Sequence, residues 1–209
     1  MGRVGLKGRD LLSVADLTPE EVEALLRRAR ELKGGEGGTP LAGKTLALLF
    51  EKPSLRTRVS FEVAMRHLGG SALYLGPQEG ALGVREPVRD FGRVLSRYVD
   101  AIACRTFVHK NLEDLAEASS VPVINALSDQ EHPCQALADL LTILEKKGRL
   151  KGVVIAFVGD GNNVAVSLAL AAASVGAVFA IARRCSRGPG RWPGAPAGRW
   201  PPCTMPPGW

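Results

Sequence analysis

The sequence predicts an α/β fold: a parallel sheet flanked by helices, followed by the opening of a second α/β unit. Three observations predict it. Short apolar runs alternate with segments of helical period between residues 18 and 182. The apolar runs are continuous rather than alternating, as strands buried on both faces require. Glycines close the helical segments at Gly34, Gly69, Gly148 and Gly176. With 45% apolar and 23% charged residues in a chain of 209, there is enough apolar side chain for a real core.

The elements follow in order. Residues 18–33 are a predicted helix: Thr18 caps it, Pro19 suits its first position and Glu21 completes a capping box. Val22, Leu25, Leu26 and Ala29 share one helical face. TLALLF at 45–50 is a buried strand, 56–68 a helix, 72–75 a strand, 87–98 a helix and 101–104 a strand. Residues 111–118 are helical, 121–125 a strand and 133–147 a long helix. A boundary is expected near 148–152. VVIAFV at 153–158 is a strand, 164–175 an Ala-rich helix and 177–182 one more strand. The expected organisation is therefore a first domain over 1–148 and, over 149–182, the first βαβ unit of a second, incomplete Rossmann-like domain. Residues 183–209 hold all three tryptophans and seven of the 14 prolines, with neither structural period. That composition does not bury a core and is expected to be disordered, or to be a frameshifted reading of a GC-rich coding sequence. The isolated helix 164–175 and strand 153–158 are expected to lack packing partners.

The net charge of +6 says little about partners. Five of the 27 basic residues lie in 183–209, which holds no acid, so 22 basic residues face all 21 acids in 1–182. A nearly neutral body makes no case for nucleic acid or a membrane. No apolar run approaches the roughly 18–20 residues of a membrane span. The N-terminus has no apolar signal core, so a cytoplasmic location is expected. The four cysteines, Cys104, Cys134, Cys185 and Cys203, have neither disulfide-framework nor metal-ligand spacing and are expected to be free thiols.

Two motifs mislead. GTPLAGKT at 38–45 matches the Walker A pattern letter for letter. A P-loop must leave a strand and open a helix, whereas this segment leaves a helix and enters a strand, and Pro40 lacks an N–H. GDGNNV at 159–164 follows a strand and opens a helix, with Val164 where a dinucleotide fingerprint has its third glycine. Arg183 and Arg184 fall where an NADP-type basic residue would sit, but a lone GxG also occurs at any tight strand-to-helix turn.

Three other segments carry chemistry. FEKPSLRTR at 50–58 follows a strand and opens a helix. Ser54 can cap that helix, and Ser54, Arg56, Thr57 and Arg58 can surround an anion at its positive end. HPCQ at 132–135 places Pro133 at a helix start, with His132 before it and Gln135 one turn in. His132 and Gln135 offer donors and acceptors to one small polar group. Arg105 ends the strand 101–104. All three sites sit at C-terminal strand ends and can converge in one cleft.

FEKPSLRTR and HPCQ together resemble the paired signatures of the transcarbamoylases. The lysine of FEKPS, the cysteine of HPCQ, DGNN at 160–163 and LGVREPVRDFGRVLSRYVDAI at 82–102 are similar to the ornithine branch, the ornithine carbamoyltransferases. The resemblance covers about residues 8–182. It implies a carbamoyl-phosphate domain, an amino-acid domain and homotrimers with shared sites. It implies carbamoyl transfer from carbamoyl phosphate to the δ-amine of L-ornithine, giving citrulline and phosphate without cofactor or metal. It places Ser54, Leu55, Arg56, Thr57 and Arg58 around the phosphate. Thr57, Arg105 and His132 then polarise the carbonyl oxygen, and Gln135, with the Pro133 and Cys134 backbone, holds the carbamoyl nitrogen. Asn163, with Asn162, contacts the amino-acid end of ornithine.

Two departures qualify the resemblance. Gly80-Ala81 stands where relatives often supply a phosphate contact from a neighbouring subunit. After Ala182 nothing resembles the family's segments that close over ornithine. Turnover by the 209-residue chain alone is not expected, and a non-catalytic carbamoyl-phosphate-binding fragment is the alternative reading. The acceptor (ornithine, putrescine, N-acetylornithine or oxamate) stays open at this level.

Overall fold

The structure, a computed structural model, describes residues 5–182. After a 3₁₀ turn at Val14–Asp16 the order is α1 (Pro19–Lys33), β1 (Thr45–Phe50), α2 (Leu55–His67), β2 (Ser71–Leu75), α3 (Val88–Leu95), β3 (Ala101–Arg105), α4 (His109–Ala118), β4 (Val123–Leu127), α5 (Pro133–Lys147), β5 (Val154–Val158), α6 (Asn163–Ser174) and β6 (Val178–Ala182). The α/β expectation holds. β1 to β4 form a four-stranded sheet in the order β2-β1-β3-β4, with every pair parallel. β5 and β6 form a separate parallel pair.

Strand geometry divides β1 between two cores, because successive side chains point to opposite faces. Leu46, Leu48 and Phe50 pack with Met65 of α2. Ala47 and Leu49 pack with Ile102 and Cys104 of β3 and with Leu112 and Leu115 of α4. Both faces are covered, as a parallel sheet requires. Charge and hydrogen bonding fix the first helix as expected: Thr18 Oγ1 accepts from Glu21 N at 3.3 Å, and Glu21 accepts from Thr18 N at 2.9 Å. Gly148, at φ 71°, ends α5 in the left-handed region where a side chain would be strained.

Several expected bounds move. The strand expected at 121–125 is Val123–Leu127. Pro122 has no N–H for the ladder, and a register shift between Cys104 and Arg105 carries the pairing on to Leu127. The N-terminal segment seals the outer edge of this strand: Leu11 N donates to Val123 O and Asn125 N donates to Leu11 O. The helix expected from Asn111 begins at His109, whose N–H is satisfied by Asp129 Oδ1 at 2.8 Å. The helix expected at 87–98 spans only Val88–Leu95.

The expectation that helix 164–175 lacks a partner is overturned. A third core joins Val22 and Leu26 of α1 and Ala136 and Leu140 of α5 with Ile155, Leu168, Ala171 and Ala172 of the second sheet unit. Leu150, in the expected boundary, is 8% exposed and belongs to the same core. The expectation holds only for the outer face of β5 and β6, where Val154, Val158 and Val178 are 65%, 83% and 53% exposed. Expectations about residues 183–209, including Arg183, Arg184, Cys185 and Cys203, lie outside the described residues.

Candidate functional site

The strand order β2-β1-β3-β4 locates the site. From β1 the chain first crosses to one side, to β2, and then returns to place β3 on the other. The connections therefore diverge at the C-terminal ends of β1 and β3, and a crevice opens at such a switch point. The β1 connection carries Ser54 to Arg58. β3 ends on Arg105, whose register partner is Phe50. β4, beside β3, leads to His132 at the start of α5.

Ser54 is the N-cap of α2, but its hydroxyl makes no cap bond. This corrects the expected side-chain cap: Ser54 Oγ instead donates to Thr57 Oγ1 at 3.0 Å. The first helix bond among the backbone groups is Arg58 N to Ser54 O. The N–H groups before it are thus left for a ligand at the positive helix end. Arg105 Nη1 reaches the same Thr57 hydroxyl at 3.5 Å and closes the cradle from the neighbouring strand.

The electrostatics of Arg105 and His132 suit an electron-rich ligand. Burial holds the Arg105 guanidinium below its ordinary range. It has no carboxylate partner among the described residues, and its Nε is buried without a hydrogen bond. Burial, and then the charge of Arg105, lowers His132 from 6.5 to about 4. The imidazole is therefore neutral at pH 7, with one nitrogen donating and the other accepting. His132 Nδ1 is also buried without a partner. Buried polar atoms are nearly always satisfied, so the unpartnered Arg105 Nε and His132 Nδ1 make this cleft a candidate ligand site.

The other expected residues are distributed around this centre. Leu55 is 78% exposed. Arg56 is exposed and makes no ion pair among the described residues. Arg58 stacks 3.8 Å from the Tyr74 ring centroid and pairs with Glu62 at 2.8 Å. Pro133 is buried at the first position of α5. Cys134 Sγ donates to Asn125 O at 3.5 Å, and burial pushes its thiol up to about 11. Gln135 Nε2 donates along its own helix to Asp139 Oδ1 at 2.9 Å. Asn162 caps α6, its Oδ1 accepting from Val164 N and Ala165 N at 3.1 Å each. Asn163 Nδ2 donates to Ser128 O at 2.7 Å, tying α6 to the loop that precedes His132.

Sequence reasoning gives no role to Glu51, although it lies inside the FEKPS signature. Its carboxylate accepts from Leu82 N at 3.0 Å, Phe107 N at 3.2 Å and the Thr106 hydroxyl. One side chain thereby gathers three loops at the crevice, including Gly80-Ala81 next to Leu82. The two misleading motifs stay unused. Lys44 is paired with Asp100 at 2.7 Å, and Asn162 already occupies the first donors of α6, where a diphosphate would have to bind. A cavity of about 630 Å³ lies elsewhere, beside Leu26, Arg30, Leu144 and Leu150. It contains none of the expected site residues.

Fold and crevice together define an α/β protein whose cleft pairs an open helix N-terminus with a buried arginine and a neutral histidine. A family model for the aspartate/ornithine carbamoyltransferase, carbamoyl-P binding domain, matches residues 9–145. The chain belongs to the aspartate/ornithine carbamoyltransferase family. It is 57% identical over 183 residues to an ornithine carbamoyltransferase of Anoxybacillus flavithermus, covering 86% of this chain and 58% of that one. It is 59% identical over the same length to one of Pyrococcus abyssi, with the same coverage. The solved ornithine carbamoyltransferase of Pyrococcus furiosus superposes with a TM-score of 0.84 at 56% identity, covering 87% of this chain and 59% of that one. The chain thus spans somewhat under three fifths of the length of these relatives.

Proposed function

We propose that the crevice binds carbamoyl phosphate and serves carbamoyl transfer to the δ-amine of L-ornithine, giving citrulline and phosphate. The observation that carries the reading is the pair of unpartnered buried atoms, Arg105 Nε and His132 Nδ1, beside the Ser54–Thr57 cradle. Ser54, Arg56, Thr57, Arg58 and the free N–H groups around Leu55 hold the phosphate. Thr57, Arg105 and His132 polarise the carbonyl oxygen and stabilise the charge that grows there. Gln135, with the backbone at Pro133 and Cys134, holds the carbamoyl nitrogen. The amine lone pair attacks the carbamoyl carbon, the bond to the phosphate oxygen breaks with its electrons on phosphate, and the amine loses a proton. Orientation of both substrates supplies much of the acceleration.

Residues 1–148 act as the carbamoyl-phosphate domain and 149–182 as the start of the amino-acid domain, with Asn163 and Asn162 toward the acceptor. The names of the relatives favour ornithine as that acceptor. Exposed Leu55, Val59 and Val63 form an apolar row along α2 next to the cradle, which supports assembly into trimers through this helix. A cytoplasmic setting would keep the free thiols of Cys104 and Cys134 reduced.

The test is calorimetric titration of the 209-residue chain with carbamoyl phosphate beside Arg56→Ala. Removing a charged phosphate ligand should weaken binding by about tenfold or more. Equal affinities in the two proteins, or no binding by the folded wild-type chain, would overturn the cradle assignment.

A further inference from the structure

One buried polar cluster beside the crevice has no place in substrate binding as described. Ser167, in the middle of α6, is fully buried. A serine in a helix interior commonly turns its hydroxyl back onto its own helix. Here the hydroxyl instead donates to Glu131 Oε2 at 2.9 Å and accepts from His132 N at 2.8 Å, residues far earlier in the chain. Glu131 is 8% exposed. Its carboxylate also accepts from Val14 N at 3.2 Å and from the Ser13 hydroxyl. The carbonyl of His132 is engaged as well, accepting from Gln135 N and Ala136 N. The His132 peptide is therefore held at its N–H by α6 and at its C=O by α5. One turn before Ser167 on the same helix, Asn163 ties down Ser128 O. The side chain of His132, by contrast, has no anchor at Nδ1. Its placement therefore depends in part on the backbone that carries it.

We propose that Ser167 and Glu131 are positioning residues for His132, so that the histidine facing the carbamoyl group is aligned by helix α6 of the second sheet unit rather than by its own loop. The proposal rests on the carbamoyl-phosphate reading for its consequence, and on the hydrogen bonds alone for the alignment. Neither residue touches substrate. Losing the Ser167 hydroxyl strands the buried His132 N–H and leaves Glu131 Oε2 with the Val14 N–H alone. The loop 128–132 then relaxes and His132 turns toward water.

The experiment compares wild type, Ser167→Ala and Glu131→Gln in the 209-residue chain with two probes and one spectroscopic readout. Inorganic phosphate reads the cradle alone, whereas carbamoyl phosphate reads the cradle and His132. Ser167→Ala should lower carbamoyl phosphate affinity by about tenfold while phosphate affinity changes less than about twofold. Glu131→Gln keeps an acceptor for Ser167 and should stay within about threefold of wild type for both. The chain has three histidines, so the His132 ring signal can be assigned by NMR with His132→Gln. Its titration midpoint should move from about 4 toward 6.5 in Ser167→Ala, as burial is lost. Should the alanine variant not fold, Ser167→Cys keeps the volume, weakens both bonds and gives the same comparison. A folded variant with an unchanged affinity ratio and an unchanged His132 midpoint overturns the proposal. A wild-type chain that does not prefer carbamoyl phosphate to phosphate overturns the functional reading instead, and the NMR titration then decides the alignment by itself.

Discussion

A single imidazole carries the clearest pH signature in this protein. His132 is lowered from 6.5 to about 4, by burial first and by the Arg105 charge second. The unfolded chain therefore binds more protons than the folded chain between those two values. The stability this group contributes is fully present above about pH 6.5 and is lost as pH falls through about 4. Urea midpoints measured from pH 7 to pH 4 should fall more steeply in wild type than in His132→Gln; parallel curves would refute the shift. Much of the site is legible at this scale. Ser54, Thr57, Arg105 and His132 are recognisable because each sits at a strand end beside turn residues. The stacking of Arg58 on Tyr74 is not, because only packing brings that ring near, whereas Glu62 and Asp139 lie one helical turn from Arg58 and Gln135 on the same helices. Glu51 is hidden for the same reason, since two of its three partners lie more than fifty residues away in sequence.

At the scale of the element, local signals predict helix ends well wherever the cap is local. Thr18 with Glu21, Pro133 and Gly148 all act as their residue types dictate. α4 is the counterexample: its first N–H is capped by Asp129 from another loop, which no local pattern encodes. α6 offers a direct test. Asn162 Oδ1 satisfies two of its terminal N–H groups. Asn162→Ala should cost about 1 kcal/mol by denaturant unfolding, and Asn162→Asp should retain most of it. Carbamoyl phosphate affinity should be unchanged in both variants, because the cap lies outside the cradle. A tenfold loss of affinity without loss of stability would give Asn162 a ligand role instead of a structural one.

Across the whole molecule, two lobes share one core. α1 and α5 pack on α6 and β5 through Val22, Leu26, Leu140, Ile155 and Leu168, so denaturation should proceed as one transition by circular dichroism and by hydrogen exchange in both lobes alike. The outer face of the second sheet pair is left uncovered by the described residues, with Val154, Val158 and Val178 exposed. A contiguous apolar face of this kind drives association. Sedimentation should show concentration-dependent self-association that Val158→Lys reduces; a monomer at every concentration in both proteins would refute it. The sequence by itself determined the fold class, nearly every element and the residues at three strand ends, because hydrophobic period, turn chemistry and cap residues act within a few positions along the chain. Only the tertiary structure decided the strand order that makes β1 and β3 a switch point, the docking of α6 on α1 and α5, and the chain of hydrogen bonds from Ser167 to His132. Those depend on which surfaces meet after distant segments pack, and that is a balance of burial and polar satisfaction over the whole chain.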